Sequence, residues 1–207
     1  MANFHFYFAS CVLLLTLSWR TSTGLPVRTL DAENCAQCSV LFKSLLLNIT
    51  ELLNNDLLCY GIRSDKVALR SNAETVLTCA PALTQNSGCI MQRNSPFSES
   101  ECLRNIMKDL GYYAAAIDSY FNFPLRRSEE EKSLLKPTLG MIQTLRKNCS
   151  LMPDAGNDSS EENPAQMWGN DSFNNRQEMC KMMRGFHIRT ITINRAMGYI
   201  SSGDHMQ

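Results

Sequence analysis

Apolar residues recur at three- and four-residue steps in four separate stretches of the chain, the spacing that lines one face of an α-helix. The first predicted helix spans about 36–57 and places Leu41, Leu45, Ile49, Leu52 and Leu53 on one face. The second spans about 100–122, with Cys102, Ile106, Leu110, Tyr113, Ile117 and Tyr120 keeping the helical step. The third covers about 128–148, where Leu134, Leu135, Ile142 and Leu145 supply the stripe. Ser128 with Glu131 three residues on makes a capping box at its start, and Pro137 predicts a kink or a later effective start. The fourth covers about 172–201 and ends before Ser201-Ser202-Gly203. Its length is about 45 Å at 1.5 Å per residue. Met179, Met182, Met183, Phe186, Thr190, Ile193, Met197 and Ile200 form its apolar strip, while Arg184, Arg189 and Arg195 fall elsewhere on the cylinder. The sequence thus suggests a helix that offers an apolar, arginine-bearing face to a partner. No stretch alternates polar and apolar residues long enough to argue for a sheet.

The connections say how the helices are arranged. The first joins the first two helices across about 58–99, and the last, across about 149–171, contains the polar run PDAGNDSSEENPAQ. Between them Phe123-Pro124 makes a short link. Long, short, long is the connectivity of an up-up-down-down bundle, in which two crossovers let consecutive helices run parallel. The predicted fold class is therefore all-α, a large four-helix bundle.

Residues 1–24 read as a secretory leader: Val12 to Leu17 is the heart of an apolar segment, and Ser22-Thr23-Gly24 supplies small residues for cleavage. The run is too short to span a bilayer, and no second candidate span is expected in residues 25–207. Removing the leader takes only Arg20 from the 20 basic residues, which then nearly balance the 20 acidic ones. That balance argues against electrostatic binding to nucleic acid or a membrane surface. Four sequons, at Asn48, Asn148, Asn157 and Asn170, support an extracellular, secreted and glycosylated protein, with Cys149 inside the Asn148 sequon.

Cys11 lies in the leader, and Cys35, Cys38, Cys59, Cys79, Cys89, Cys102, Cys149 and Cys180 read as a disulfide framework. In the predicted topology Cys59 and Cys180 lie at one end of the bundle. A bond between them closes a loop of more than 100 residues, worth about 4–5 kcal/mol on chain-entropy grounds. Cys79 and Cys102 can meet at the opposite end, where Cys149 can also reach Cys38 or Cys35. Cys89, in the polar loop Thr84-Gln85-Asn86-Ser87-Gly88, has no evident partner, which suggests an intermolecular bond; an intrachain bond to Cys35 or Cys38 is the alternative. Cys35-Ala36-Gln37-Cys38 lacks the βαβ context of a redox motif and the second ligand pair of a zinc site. Neither a nucleophile in a catalytic setting nor a Gly-rich phosphate loop is present. No metal, no cofactor and no enzymatic activity are expected.

The segments Thr75–Cys79 with the following APALTQNSGC, then ECLRNIMKDLGYY, and above all MCKMMRGFHIRTITINRAMGYI, resemble the interleukin-12 alpha subunit family. The resemblance implies a secreted long-chain four-helix cytokine that forms a disulfide-linked heterodimer with a receptor-like beta subunit. It implies that Cys89 bonds to that subunit, that Cys59–Cys180 and Cys79–Cys102 are intrachain bridges, and that Arg195 enters a beta-subunit pocket bearing an acid. It further implies that Phe173 engages a cell-surface receptor chain, with Arg189 and Tyr199 as additional partner-binding residues on the last helix. The implied outcome is JAK–STAT signalling in T and natural killer cells that promotes interferon-gamma production. This chain departs from the family pattern: a cysteine between the equivalents of Cys89 and Cys102 is missing, while Cys38 and Cys149 are additional. The N-terminal staple is therefore expected to be rewired through Cys149, with one of Cys35 and Cys38 left over. Alternative readings are a helical cytokine acting alone and a small secreted disulfide-rich enzyme or inhibitor. For Arg195 the plain alternative is a solvated surface arginine lying on Ile193 and Met197.

Overall fold

The computed structural model describes residues 32–62, 67–68, 74–80, 97–123, 129–150 and 168–203. Residues 1–24, expected to be a secretory leader, and Cys89, Ser128 and Asn157 lie outside them. Among the described residues the elements are α1 (Ala32–Asn54), α2 (Asp56–Cys59), α3 (Glu74–Thr78), α4 (Glu99–Asn122), α5 (Glu129–Asn148) and α6 (Ser172–Ser202). Ser98 caps α4 by accepting from the Glu101 amide, and Asp171 caps α6 by accepting from the Phe173 amide at 2.8 Å. Gly203, at φ 72°, ends α6 with its N–H bonded to the Ile200 carbonyl. Helix α5 continues through Pro137, which stands exposed beside exposed Ser133, so the carbonyl that loses its partner can meet water.

Cross-helix contacts fix the directions. The Asn194 amide donates to the Phe42 carbonyl, while His187 lies against Thr50, so α1 and α6 run antiparallel. Tyr120, late in α4, donates to Glu131, early in α5, and Gly111 faces the Arg146 guanidinium, so these two are also antiparallel. Phe97 meets Tyr199 and Tyr113 stacks on Phe186 at 4.0 Å between ring centroids, which makes α4 and α6 antiparallel. Cys38 near the start of α1 is bonded to Cys149 just past α5. The four long helices therefore run up, up, down, down, as the connection lengths predict.

The core is the shared interior of these four helices, with Phe42, Leu45, Ile49, Ile106, Leu110, Ile117, Leu135 and Ile142 fully enclosed. It also takes the whole apolar strip of α6: Met179, Met182, Met183, Phe186, Thr190, Ile193, Met197 and Ile200 are all buried within the chain. The expectation that this strip is handed to a partner is corrected. The bundle needs it for its own interior, and thioethers fill the irregular gaps between long helices. A second correction concerns α1. Glu33–Asn54 is long and apolar enough to cross a membrane, contrary to the expectation that no second stretch would be. Its Phe42, Leu45 and Ile49 face the bundle core.

The first crossover passes over α6. The Ala68 amide donates to the Lys181 carbonyl, and a Cβ on Gly185 would collide with the Ala68 carbonyl. Only glycine admits so close a crossing of two backbones. Helix α3 then lies on the start of α4, held by Cys79–Cys102, by Asn105 donating to Thr78, and by Thr75 donating to Asp109. Cys59–Cys180 ties α2 to the first turns of α6. The uncertainty over Cys149 resolves in favour of Cys38. Cys35, read with the disulfide framework but grouped with Cys38 as the two from which one would be left over, is the one left over, a buried free thiol.

Candidate functional site

Helix α6 carries Arg189 and Arg195 on different faces. Arg189 follows Phe186 by three residues and precedes Ile193 by four, so it points inward with them. It is 5 % exposed, and its Nε lies 3.4 Å from Asp109 Oδ2, itself 1 % exposed. The same carboxylate oxygen accepts the Thr75 hydroxyl at 2.8 Å. Arg189 is therefore a structural tie between α6, α4 and the crossover, and its expected role in partner binding is corrected: burial puts it out of reach.

Arg195 points the other way. It is exposed, and the ion pairs among the described residues do not include it. Around it on the same outer face stand Ile188, 44 % exposed, Thr192, exposed Gly198 and half-buried Tyr199. Tyr199 is braced by an edge-to-face contact with Phe97, 5.2 Å between ring centroids. The face thus combines aliphatic area, an aromatic ring and an exposed cation.

A second surface lies where α6 begins. Trp168 is buried, donates its indole N–H to Ser119 at 2.7 Å, and packs against Tyr120. The Asn175 side chain closes a reciprocal pair with Gly169, accepting from its amide and donating to its carbonyl, both at 2.8 Å. These bonds fix the approach to α6 and present Phe173, 46 % exposed, at the tip. The Arg176 guanidinium covers one side of that ring at 5.6 Å and donates to the Leu57 carbonyl, three residues before 71 %-exposed Tyr60 in the chain. Sequence reasoning missed Trp168 and Tyr60. The signal for the first is that it is the only tryptophan after residue 24.

Six of the described cysteines form three bonds, Cys38–Cys149, Cys59–Cys180 and Cys79–Cys102, and Cys35 is free. Burial, and then nearby Glu99, push the Cys35 thiol above its ordinary value. Among the sequons, Asn170 and Asn148 are exposed, whereas half-buried Asn48 accepts the Thr138 hydroxyl at 2.6 Å in the α1–α5 seam.

A family model described as the interleukin-12 alpha subunit matches residues 4–203. The interleukin-12 subunit alpha of Marmota monax is 25 % identical over 220 residues, covering 94 % of this chain and 95 % of its own length. That of Homo sapiens is 25 % identical over 219 residues with the same coverage. That of Macaca mulatta is 29 % identical over 152 residues, covering 64 % of this chain and 65 % of its own.

Proposed function

Because the chain belongs to the interleukin-12 alpha subunit family, a family of cytokine subunits rather than enzymes, we propose that it is secreted and presents the outer face of α6 to a receptor-like beta subunit. The observation that carries this reading is the contrast between two arginines six residues apart on one helix. Arg189 is neutralised inside by Asp109, while Arg195 is left in water beside Ile188, Thr192 and Tyr199. An arginine in such a setting gains most from a carboxylate supplied by another chain, because enclosing the pair strengthens it. Cys89 forms the covalent link to that chain. In support, each described cysteine is either bonded to another described cysteine or free. The tip formed by Phe173 with Arg176 engages a signalling receptor chain, and the heterodimer drives JAK–STAT signalling that promotes interferon-gamma production. Residues 1–24 act as the secretory leader, and the sequons at Asn48, Asn148, Asn157 and Asn170 are the glycosylation candidates.

Co-expression with a candidate beta subunit tests this. Cys89→Ser abolishes the covalent species on a non-reducing gel and leaves a non-covalent complex, which Arg195→Ala then weakens at least tenfold. Unchanged affinity in the Arg195→Ala complex refutes the docking face.

A further inference from the structure

We infer that Gly198 is a close-approach point of the heterodimer interface, where the beta subunit's main chain lies against bare helix backbone beside Arg195. The inference rests on the docking face proposed above and adds a shape requirement to its charge requirement.

The argument starts from what glycine costs. In the interior of an exposed helix it is less stable than alanine, because its backbone loses more freedom on folding. Some of the described glycines have a visible reason within the chain, while Gly140, Gly169 and Gly198 have open space where a Cβ would stand. Gly185 admits the Ala68 carbonyl, and Gly61 and Gly203 adopt the left-handed conformation, Gly203 where it ends α6. Gly198 has none of these. It is helical, exposed, and a Cβ built there meets nothing within 4 Å beyond the helix's own backbone. Its place on the helix supplies the reason. Gly198 follows Arg195 by three residues and precedes Ser202 by four, so it shares the outer face with exposed Arg195 and Ser202. A bare patch beside a cation lets a partner's backbone settle low on the helix. The guanidinium then reaches past that contact toward a carboxylate set deeper in the partner. A side chain at 198 would hold the two surfaces apart and shorten the reach of Arg195.

Gly140 is a built-in control. It too is exposed within a helix and has open space around its missing Cβ, but it lies on α5, away from the outer face of α6.

The experiment uses the full chain carrying Cys89→Ser, co-expressed with the beta subunit so that affinity is measured without the covalent link. Gly198→Ala and Gly140→Ala should each raise Tm of the purified chain by roughly 2–4 °C. Only Gly198→Ala should weaken the heterodimer, by roughly tenfold, and Gly198→Met should weaken it further. A stabilised chain that assembles worse is the expected signature. If Gly198→Ala leaves affinity unchanged while Arg195→Ala weakens it, the inference is overturned and the docking face stands. If neither variant changes affinity, the docking face falls and takes the inference with it. Equal weakening by Gly140→Ala also overturns the inference.

Discussion

Replacing Asp109 by alanine should unfasten the bundle at its most enclosed charge. Asp109 and Arg189 are 1 % and 5 % exposed, so neither can fall back on water when its partner is removed. Breaking one side of such a pair costs about 3–5 kcal/mol, most of it the penalty for the charge left behind. The Thr75 hydroxyl loses its acceptor at the same moment. A hydrogen bond to a charged group is worth about 1.5–3 kcal/mol, but it shares the oxygen that Arg189 uses, so the two losses do not add. A net cost of about 4 kcal/mol follows, out of a total stability of about 5–15 kcal/mol. For a domain of this size that lowers Tm by about 8–16 °C. Urea unfolding followed by circular dichroism should be compared for Asp109→Ala, Arg189→Met and a double variant carrying Asp109→Leu with Arg189→Met. The double variant removes both charges and should recover most of the loss. A cost below about 1 kcal/mol for Asp109→Ala, or single effects that simply add, would refute the account of this pair.

Three further outcomes are expected. Folding favours the protonated Cys35 thiol, so this contribution is complete below its ordinary value of 9.0 and is lost as pH rises through the raised one; Cys35→Ala should remove an alkaline decline in urea midpoint, and a decline that persists unchanged assigns it elsewhere. Gly185→Ala should cost about 1–3 kcal/mol, since the new methyl meets backbone that cannot step aside, and should speed hydrogen exchange at the Ala68 amide; unaltered exchange there counts against the crossing described above. Trp168→Ala should lower the receptor response while leaving heterodimer assembly intact, because it loosens the tip around Phe173 but not the outer face of α6; loss of assembly would contradict that separation.

The four long helices were legible because burying one face of a helix imposes a 3.6-residue period that survives in the sequence. The first begins earlier than expected, at Ala32 rather than about 36, since Glu33 and Asn34 are exposed and add nothing to the stripe. Helices α2 and α3 are four and five residues long, too short to show any period, and went unseen. Connection lengths were enough for the direction of every long helix and allowed the Cys59–Cys180 and Cys79–Cys102 bonds, which the family resemblance then implied. They could not separate Cys35 from Cys38, which lie three residues apart on one face; side-chain geometry decides between them. Arg189 was misread because arginine is ordinarily a surface residue. Its phase with Phe186 and Ile193 was the available warning, and Asp109 has the same inward phase between Ile106 and Tyr113. An acid and a base both placed inward on neighbouring helices call for each other. Trp168 and Asn175 act through contacts between a connection and two helices, which no single periodicity encodes.

The enclosed Arg189–Asp109 contact also works as a key that clocks the last helix. With one guanidinium seated, α6 can neither roll about its axis nor slide along its neighbour without pulling that group out of its socket. Six residues onward at about 100° each leave Arg195 some 120° round the axis and about 9 Å further along it. The compass bearing of the outward cation is thus inherited from the inward one, and a partner meets it already aimed.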